Sequence, residues 1–150
     1  MELDDKDLKI LALMRSNAKY TSQQISKKTL IPVTTIHNRI KKLEHEGVIK
    51  GYTLRLDHRK LGKNILAFIL MTVVYTLPNG KKVSQQQLAR DISKFPCVEE
   101  SYMVTGGTDI IAKVRVTDVE ELNKFVINDL LNLDVVGNTQ TIIVLSSPTD

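Results

Sequence analysis

Thr34, Thr35, His37, Asn38, Arg39, Lys41 and Lys42 stand in one short stretch, interleaved with Val33, Ile36, Ile40 and Leu43. Apolar residues three and four apart gather on one side of a helix, so the short polar and cationic residues fall on the other. The chemistry open to such a face is recognition by hydrogen bonds and charge. An Asn amide can read adenine in bidentate fashion, hydroxyls and imidazole meet base edges, and Lys or Arg meets phosphate. Asn38 is the candidate base reader, while Arg39 and Lys42, nearer the flanks, suit phosphates. Lys27, Lys28, Lys50 and Arg55 can add backbone contacts, which carry affinity and salt dependence but no sequence information. Plainer roles stand beside these: His37 as an ordinary surface histidine, and Thr34 and Thr35 as helix caps.

The charge distribution favours an anionic partner for the first part of the chain. Residues 1–63 hold 14 Lys and Arg against 7 Asp and Glu, whereas residues 64–150 hold 7 against 10, so the formal +4 conceals a basic N-terminal part and an acidic remainder. Glu2, Asp4, Asp5 and Asp7 crowd a helix start, where they suit the positive end of the helix dipole, leaving Lys19 to Lys63 more basic still. That stretch is the candidate anion-binding surface, and a merely solvated basic face is the plainer reading of the same charges.

The elements that must position these residues read as three short helices. Leu3, Leu8, Leu11 and Met14 form a stripe, with Asp4 as N-cap, over about Asp4 to Ser16. Thr21 or Ser22 caps a second helix carrying Ile25. Pro32 breaks it and suits the first turn of a third, from about Val33 to Glu46, whose inner face is Val33, Ile36, Ile40 and Leu43 and whose terminator is Gly47. From Val48 to Asp57 the pattern turns to strand-like alternation, which predicts a wing or connecting strand. Gly62 and the reversal of charge mark a boundary near Asn64.

Beyond it the order reads strand Ile65–Tyr75, turn at Pro78-Asn79-Gly80, helix Ser84–Lys94, strand Val98–Val104, turn at Thr105-Gly106-Gly107-Thr108 and strand Asp109–Val116. A helix capped by Asp118 and Glu121 and a strand Val135–Leu145 complete it. This βαββαβ pattern predicts a ferredoxin-like four-stranded sheet with both helices on one face. Leu66-Ala67-Phe68-Ile69-Leu70 does not alternate, so both faces of that strand are apolar and self-association is the simplest cover for the second.

Several function classes lose their basis. Cys97 has no second thiol, which removes disulfide and zinc-finger readings. The acidic start is not that of a signal peptide, and the run Ile65 to Val74 falls far short of the ~20 apolar residues of a membrane span. A cytoplasmic protein with no membrane partner is expected. His37, His45 and His58 all precede the second domain, and no paired-carboxylate, nucleophile-base or metal-ligand spacing follows residue 64, so neither an enzyme nor a metal site is expected.

The segments Leu3-Asp4, Ile10-Leu11, Asn17-Ala18-Lys19-Tyr20-Thr21, Ile36 to Glu44 and Gly47 to Tyr52, with Gly62, Val104 to Asp109 and Thr139 to Leu145, resemble the Lrp/AsnC family of leucine-responsive or feast/famine regulators across essentially the whole chain. The resemblance implies an α+β protein: a winged helix-turn-helix over residues 1–50, a connecting strand or hinge over 51–63, and a dimerising, amino-acid-sensing βαββαβ domain over 64–150. It implies a homodimer that assembles further, to an octamer, and double-stranded DNA as partner. It also implies no cofactor other than an amino-acid effector held between subunits. By position, Thr105, Gly106, Gly107, Thr108 and Asp109 would meet that effector, with Asp109 accepting from its ammonium group and Thr139 and Thr141 closing the site from the partner. The turn also reads as a plain Gly-Gly hairpin. Leu30 stands where the family usually has glycine, and Pro32 where the recognition helix often begins with serine. An effector-free architectural DNA-binding protein fits the same N-terminal part, and some sirohaem decarboxylases resemble the same two-domain plan, but they would place histidines in the C-terminal domain, where this chain has none.

Overall fold

The computed structural model describes residues 2–146, in two compact units that divide between Arg55 and Leu56. In the first, α1 (Asp5–Ser16), α2 (Ser22–Thr29) and α3 (Val33–His45) follow one another. Asp4 and Asp7 form a reciprocal capping box at α1, and Thr21 with Gln24 forms another at α2. Leu30 ends α2 in the left-handed region at φ +59°, with its N–H donating to Ser26 O at 2.8 Å while the Ser26 hydroxyl donates to Ile31 O at 2.6 Å. Gly47, at φ +70°, turns the chain after α3.

The core of this unit is Ile10, Ile25, Ile31 and Ile36, with Leu13, Met14, Tyr20 and Ile40 packed against it. Two expected inner positions differ. Leu8 is exposed, and the inner side of α1 is carried by Asp7 and Ile10, because Asp7 has a cationic partner that compensates its burial. Val33 is exposed as well; Ile31, just ahead of Pro32, takes the core place instead. The expectation of a connecting strand past α3 is also corrected. Residues 51–57 form no strand and are all exposed, since among the described residues no strand pairs with the alternating Tyr52, Leu54 and Leu56.

In the second unit β1 (Ile65–Val73), α4 (Gln85–Ile92), β2 (Val98–Met103), β3 (Ile110–Val116), α5 (Val119–Lys124) with its π-helical continuation (Phe125–Leu130), and β4 (Val136–Ile143) realise the expected βαββαβ order. The sheet is antiparallel in the order β2-β3-β1-β4. Alternate residues Ala67, Ile69, Met71 and Val73 of β1 and Ile110, Ala112, Val114 and Val116 of β3 are buried against Leu88, Ala89 and Ile92 of α4 and Leu122, Phe125 and Leu130 of the second helix. Both helices therefore cover one face. The other face carries Leu66, Phe68 and Leu70, none fully buried, beside Lys113 and Arg115, which pair with Glu99 at 3.3 and 2.6 Å. β1 meets β4 through a bulge after Met71, where a Cβ on Gly137 would lie 2.6 Å from Thr72 Oγ1.

Candidate functional site

The first candidate site is the outer side of α3. Thr34, His37, Asn38, Lys41 and Lys42 are exposed there, opposite the buried Ile36 and Leu43, while Thr35 is half-buried on a flank. Pro32 supplies no side-chain cap, and neither threonine caps the helix, so the plainer role for Thr34 and Thr35 does not apply. Lys27 and Lys28 stand exposed near the end of α2, with Lys28 Nζ 5.3 Å from the centroid of the Tyr20 ring. Lys50 is exposed just past α3. The face is thus polar in its first turns and cationic further on.

Arg39 departs from its expected place. Its Nη1 donates to Asp4 Oδ1 at 2.6 Å and to Asp7 Oδ1 at 2.9 Å, tying α3 to the first turn of α1. The hydrogen bond from Arg39, together with the capping bond from the Asp7 N–H, holds the Asp4 carboxyl down to about 2, and the same carboxylates raise the Arg39 guanidinium further. Arg39 is therefore a structural ion-pair residue.

The second candidate site surrounds the turn after β2. Thr105, Gly106 and Gly107 are exposed and Thr108 is half-buried, and the Val104 N–H donates to Asp109 O at 2.9 Å to close the hairpin. Gly106 takes φ +120°, which a side chain rarely tolerates. Asp109 is a hub: Oδ2 accepts from Val73 N at 2.7 Å, Oδ1 from the Tyr75 hydroxyl at 2.6 Å, and its carbonyl from Gln85 Nε2 at 2.5 Å. The Tyr75 bond first, then that from Val73, lowers the Asp109 carboxyl, so it is an anion at neutral pH, while the Tyr75 phenol is raised. A carboxylate offers about four acceptor positions, so the two bonds it accepts leave room for a further donor.

Thr139 faces Met71 and Thr141 faces Ile69 across β4 and β1. β1 thus separates them from β3, by two strand spacings or ~10 Å, and the chain alone does not bring them to the turn. Sequence reasoning missed Tyr75 and Gln85. Tyr75 read only as the last residue of a strand, and nothing local marks its bond to a residue 34 positions away. It also missed a shallow groove of about 220 Å³ between α4 and β2, lined by Gln86, Ala89, Arg90, Ser93, Ser101 and Met103, where the buried Ser101 Oγ has no hydrogen-bond partner. Cys97, half-buried, has its thiol pushed up to about 11 by burial, which disfavours the nucleophilic thiolate. Among the described residues no cluster of His, Cys, Asp and Glu is placed to hold a metal ion, and no helix is long and apolar enough to cross a membrane.

A three-helix unit presenting a polar and basic third helix, followed by an α+β domain with one open sheet face, defines a two-domain transcription regulator that binds DNA. Residues 3–50 match the winged helix-turn-helix DNA-binding family, and residues 67–150 match the Lrp/AsnC ligand binding domain. The chain belongs to the Lrp/AsnC family. It is 38% identical over 146 residues to the HTH-type transcriptional regulator FL11 of Pyrococcus horikoshii, covering 97% of this chain and 91% of that one. In three dimensions it is similar to a transcriptional regulator of Neisseria meningitidis solved as a complex with L-Met, with a TM-score of 0.86, 26% identity, and 98% and 92% of the two chains covered. It is similar also to AsnC of Escherichia coli, with a TM-score of 0.83, 26% identity and coverage of 99% and 95%. These relatives are regulators, not enzymes, and so is this chain.

Proposed function

We propose that this regulator senses a free amino acid in the cytoplasm, bound between subunits of a homo-oligomer, and that the bound state changes how its helix-turn-helix units engage double-stranded DNA. The observation that carries the reading is the likeness, over nearly the whole chain, to a regulator solved with L-Met. The chemistry around Asp109 agrees with it. A zwitterion needs an anionic acceptor for its ammonium group, and Asp109 is a carboxylate with acceptor capacity to spare beside a turn whose exposed glycines leave backbone N–H groups approachable. Thr105 to Asp109 are assigned to the effector, with Thr139 and Thr141 reaching it from a partner subunit.

The uncovered sheet face supports the oligomer. Leu66, Phe68 and Leu70 need a second copy to leave water, and pairing of such dimers into a ring, up to an octamer, places several DNA-binding units in one assembly. Residues 51–63 serve as the hinge between the domains. On the DNA, Thr34, His37 and Asn38 read bases, Lys41 and Lys42 meet phosphates, and Thr35, Lys27 and Lys28 support them.

Thermal unfolding of the full chain against each of the twenty amino acids tests the effector. A ligand at ~100 times its dissociation constant adds about 2.7 kcal/mol to the folded state. One strong responder, whose shift is lost in Asp109→Asn, is the expected result. No response to any of them would leave an effector-free architectural protein, which footprinting would reveal as protection without preference for a pseudo-palindromic site.

A further inference from the structure

Val33 opens α3 and is 39% exposed, although helical spacing alone would put it inside with Ile36 and Ile40. It belongs to neither buried cluster of the chain. Val33, His37 and Lys41 stand four apart and so form one ridge along the helix, with Thr34 and Asn38 in the adjoining row. Val33 is the apolar tip of a ridge that is otherwise polar and then cationic. The apolar surface continues outward over the exposed Pro32.

In a helix-turn-helix the N-terminal residues of the second helix lie against base edges in the major groove. The apolar feature of that groove is the C5-methyl group of thymine. We propose that Val33 packs on a thymine methyl group and is a specificity-determining residue, selecting a T·A pair next to the base that Asn38 reads. The inference rests on the DNA-binding assignment. It divides the work of α3 into apolar reading at the tip, hydrogen-bonded reading at Asn38 and phosphate contact from Lys41 and Lys42.

Duplexes selected by the full chain from a randomised pool provide the probe, with each thymine replaced singly by deoxyuracil, which removes only the methyl group. Wild type should lose about threefold to fivefold at one thymine in each half-site, the loss for burying one CH₂-sized group less. Val33→Ala and Val33→Ser, each checked for unchanged thermal unfolding, should bind the thymine duplex more weakly by a similar factor and be indifferent to uracil at that position. Uracil without effect on wild type at every position overturns the proposal, even if neither variant folds. So does uracil sensitivity that persists in the variants, or a loss that appears only as weaker self-association of the DNA-free protein. Failure of the pool to enrich any duplex would instead sink DNA binding itself, and this inference with it.

Discussion

Arg39 Nη1 lies 2.6 Å from Asp4 Oδ1, joining residues 35 positions apart. Asp4 thereby does two things at once: it caps α1 through the N–H groups of Lys6 and Asp7, and it anchors the recognition helix. Because the Asp4 carboxyl is held down to about 2 in the folded protein, against an ordinary value of ~3.9, the folded state favours its ionised form. The stabilisation is complete above the unfolded value and disappears as pH falls through the folded one. Thermal unfolding of the full chain followed from pH 5 to pH 2 should therefore drop through that window, and Asp4→Asn should flatten the drop while lowering stability at neutral pH. A slope unchanged by that substitution would remove Asp4 from the account.

The same ion pair separates Arg39 from the lysines next to it. Neutralising Lys41 or Lys42 should reduce the slope of log affinity against log salt by about one unit each and weaken all duplexes alike. Arg39→Gln should instead lower the unfolding temperature and leave the salt slope near its wild-type value. Equal changes in slope for all three would make Arg39 a phosphate ligand after all.

Asn38 is exposed in the middle of the outer face of α3. Asn38→Ala should cost about 1 to 3 kcal/mol on a selected duplex and little on random DNA. Titration of both duplexes decides it, and equal losses would make Asn38 a backbone contact.

Leu30 is 90% exposed and is the non-glycine residue that takes positive φ among those described. A left-handed leucine costs about 1 to 2 kcal/mol, partly offset in a glycine variant by the extra freedom of the unfolded chain. Leu30→Gly should therefore stabilise the protein by about 0.5 to 1 kcal/mol, measured by denaturant unfolding. Destabilisation would show that the leucine side chain has a partner the isolated chain does not supply.

Gly137 holds the β1–β4 bulge together by having no side chain. The Asn138 N–H donates to Thr72 Oγ1 at 2.9 Å, in the space a Cβ would enter. Gly137→Ala should cost about 1 to 3 kcal/mol by overpacking. Adding Thr72→Ala should recover part of that loss, and strictly additive effects in the double variant would disprove the contact.

The helix starts were legible because their signals are local. Asp4, Thr21 and Asp118 each cap a helix within three residues of the N–H group they bind, and Gly47 turns the chain where the apolar spacing stops. The exposed face of α3 was legible for the same reason: Ile36, Ile40 and Leu43 fix its inner side, and the outer side follows. Periodicity failed at the ends of elements. Val33 fits the inner spacing but lies in the first turn, where Ile31 takes the core place, and Leu8 fits a stripe that Asp7 and Ile10 displaced. Tyr52, Leu54 and Leu56 alternate like a strand, yet alternation describes only one member of a pair, and among the described residues no strand pairs with them.

The order of elements, their caps and the apolar faces were thus fixed by residues acting on neighbours a few positions away, where spacing alone decides which groups can meet. Arg39 with Asp4 and Asp7, Asp109 with Val73 and Tyr75, and Thr72 with Asn138 were decided only by the tertiary structure. Each joins groups more than thirty positions apart. A charge or hydroxyl carries no mark of its partner along the chain, and the pairing exists only once packing has paid the entropy of bringing the two segments together.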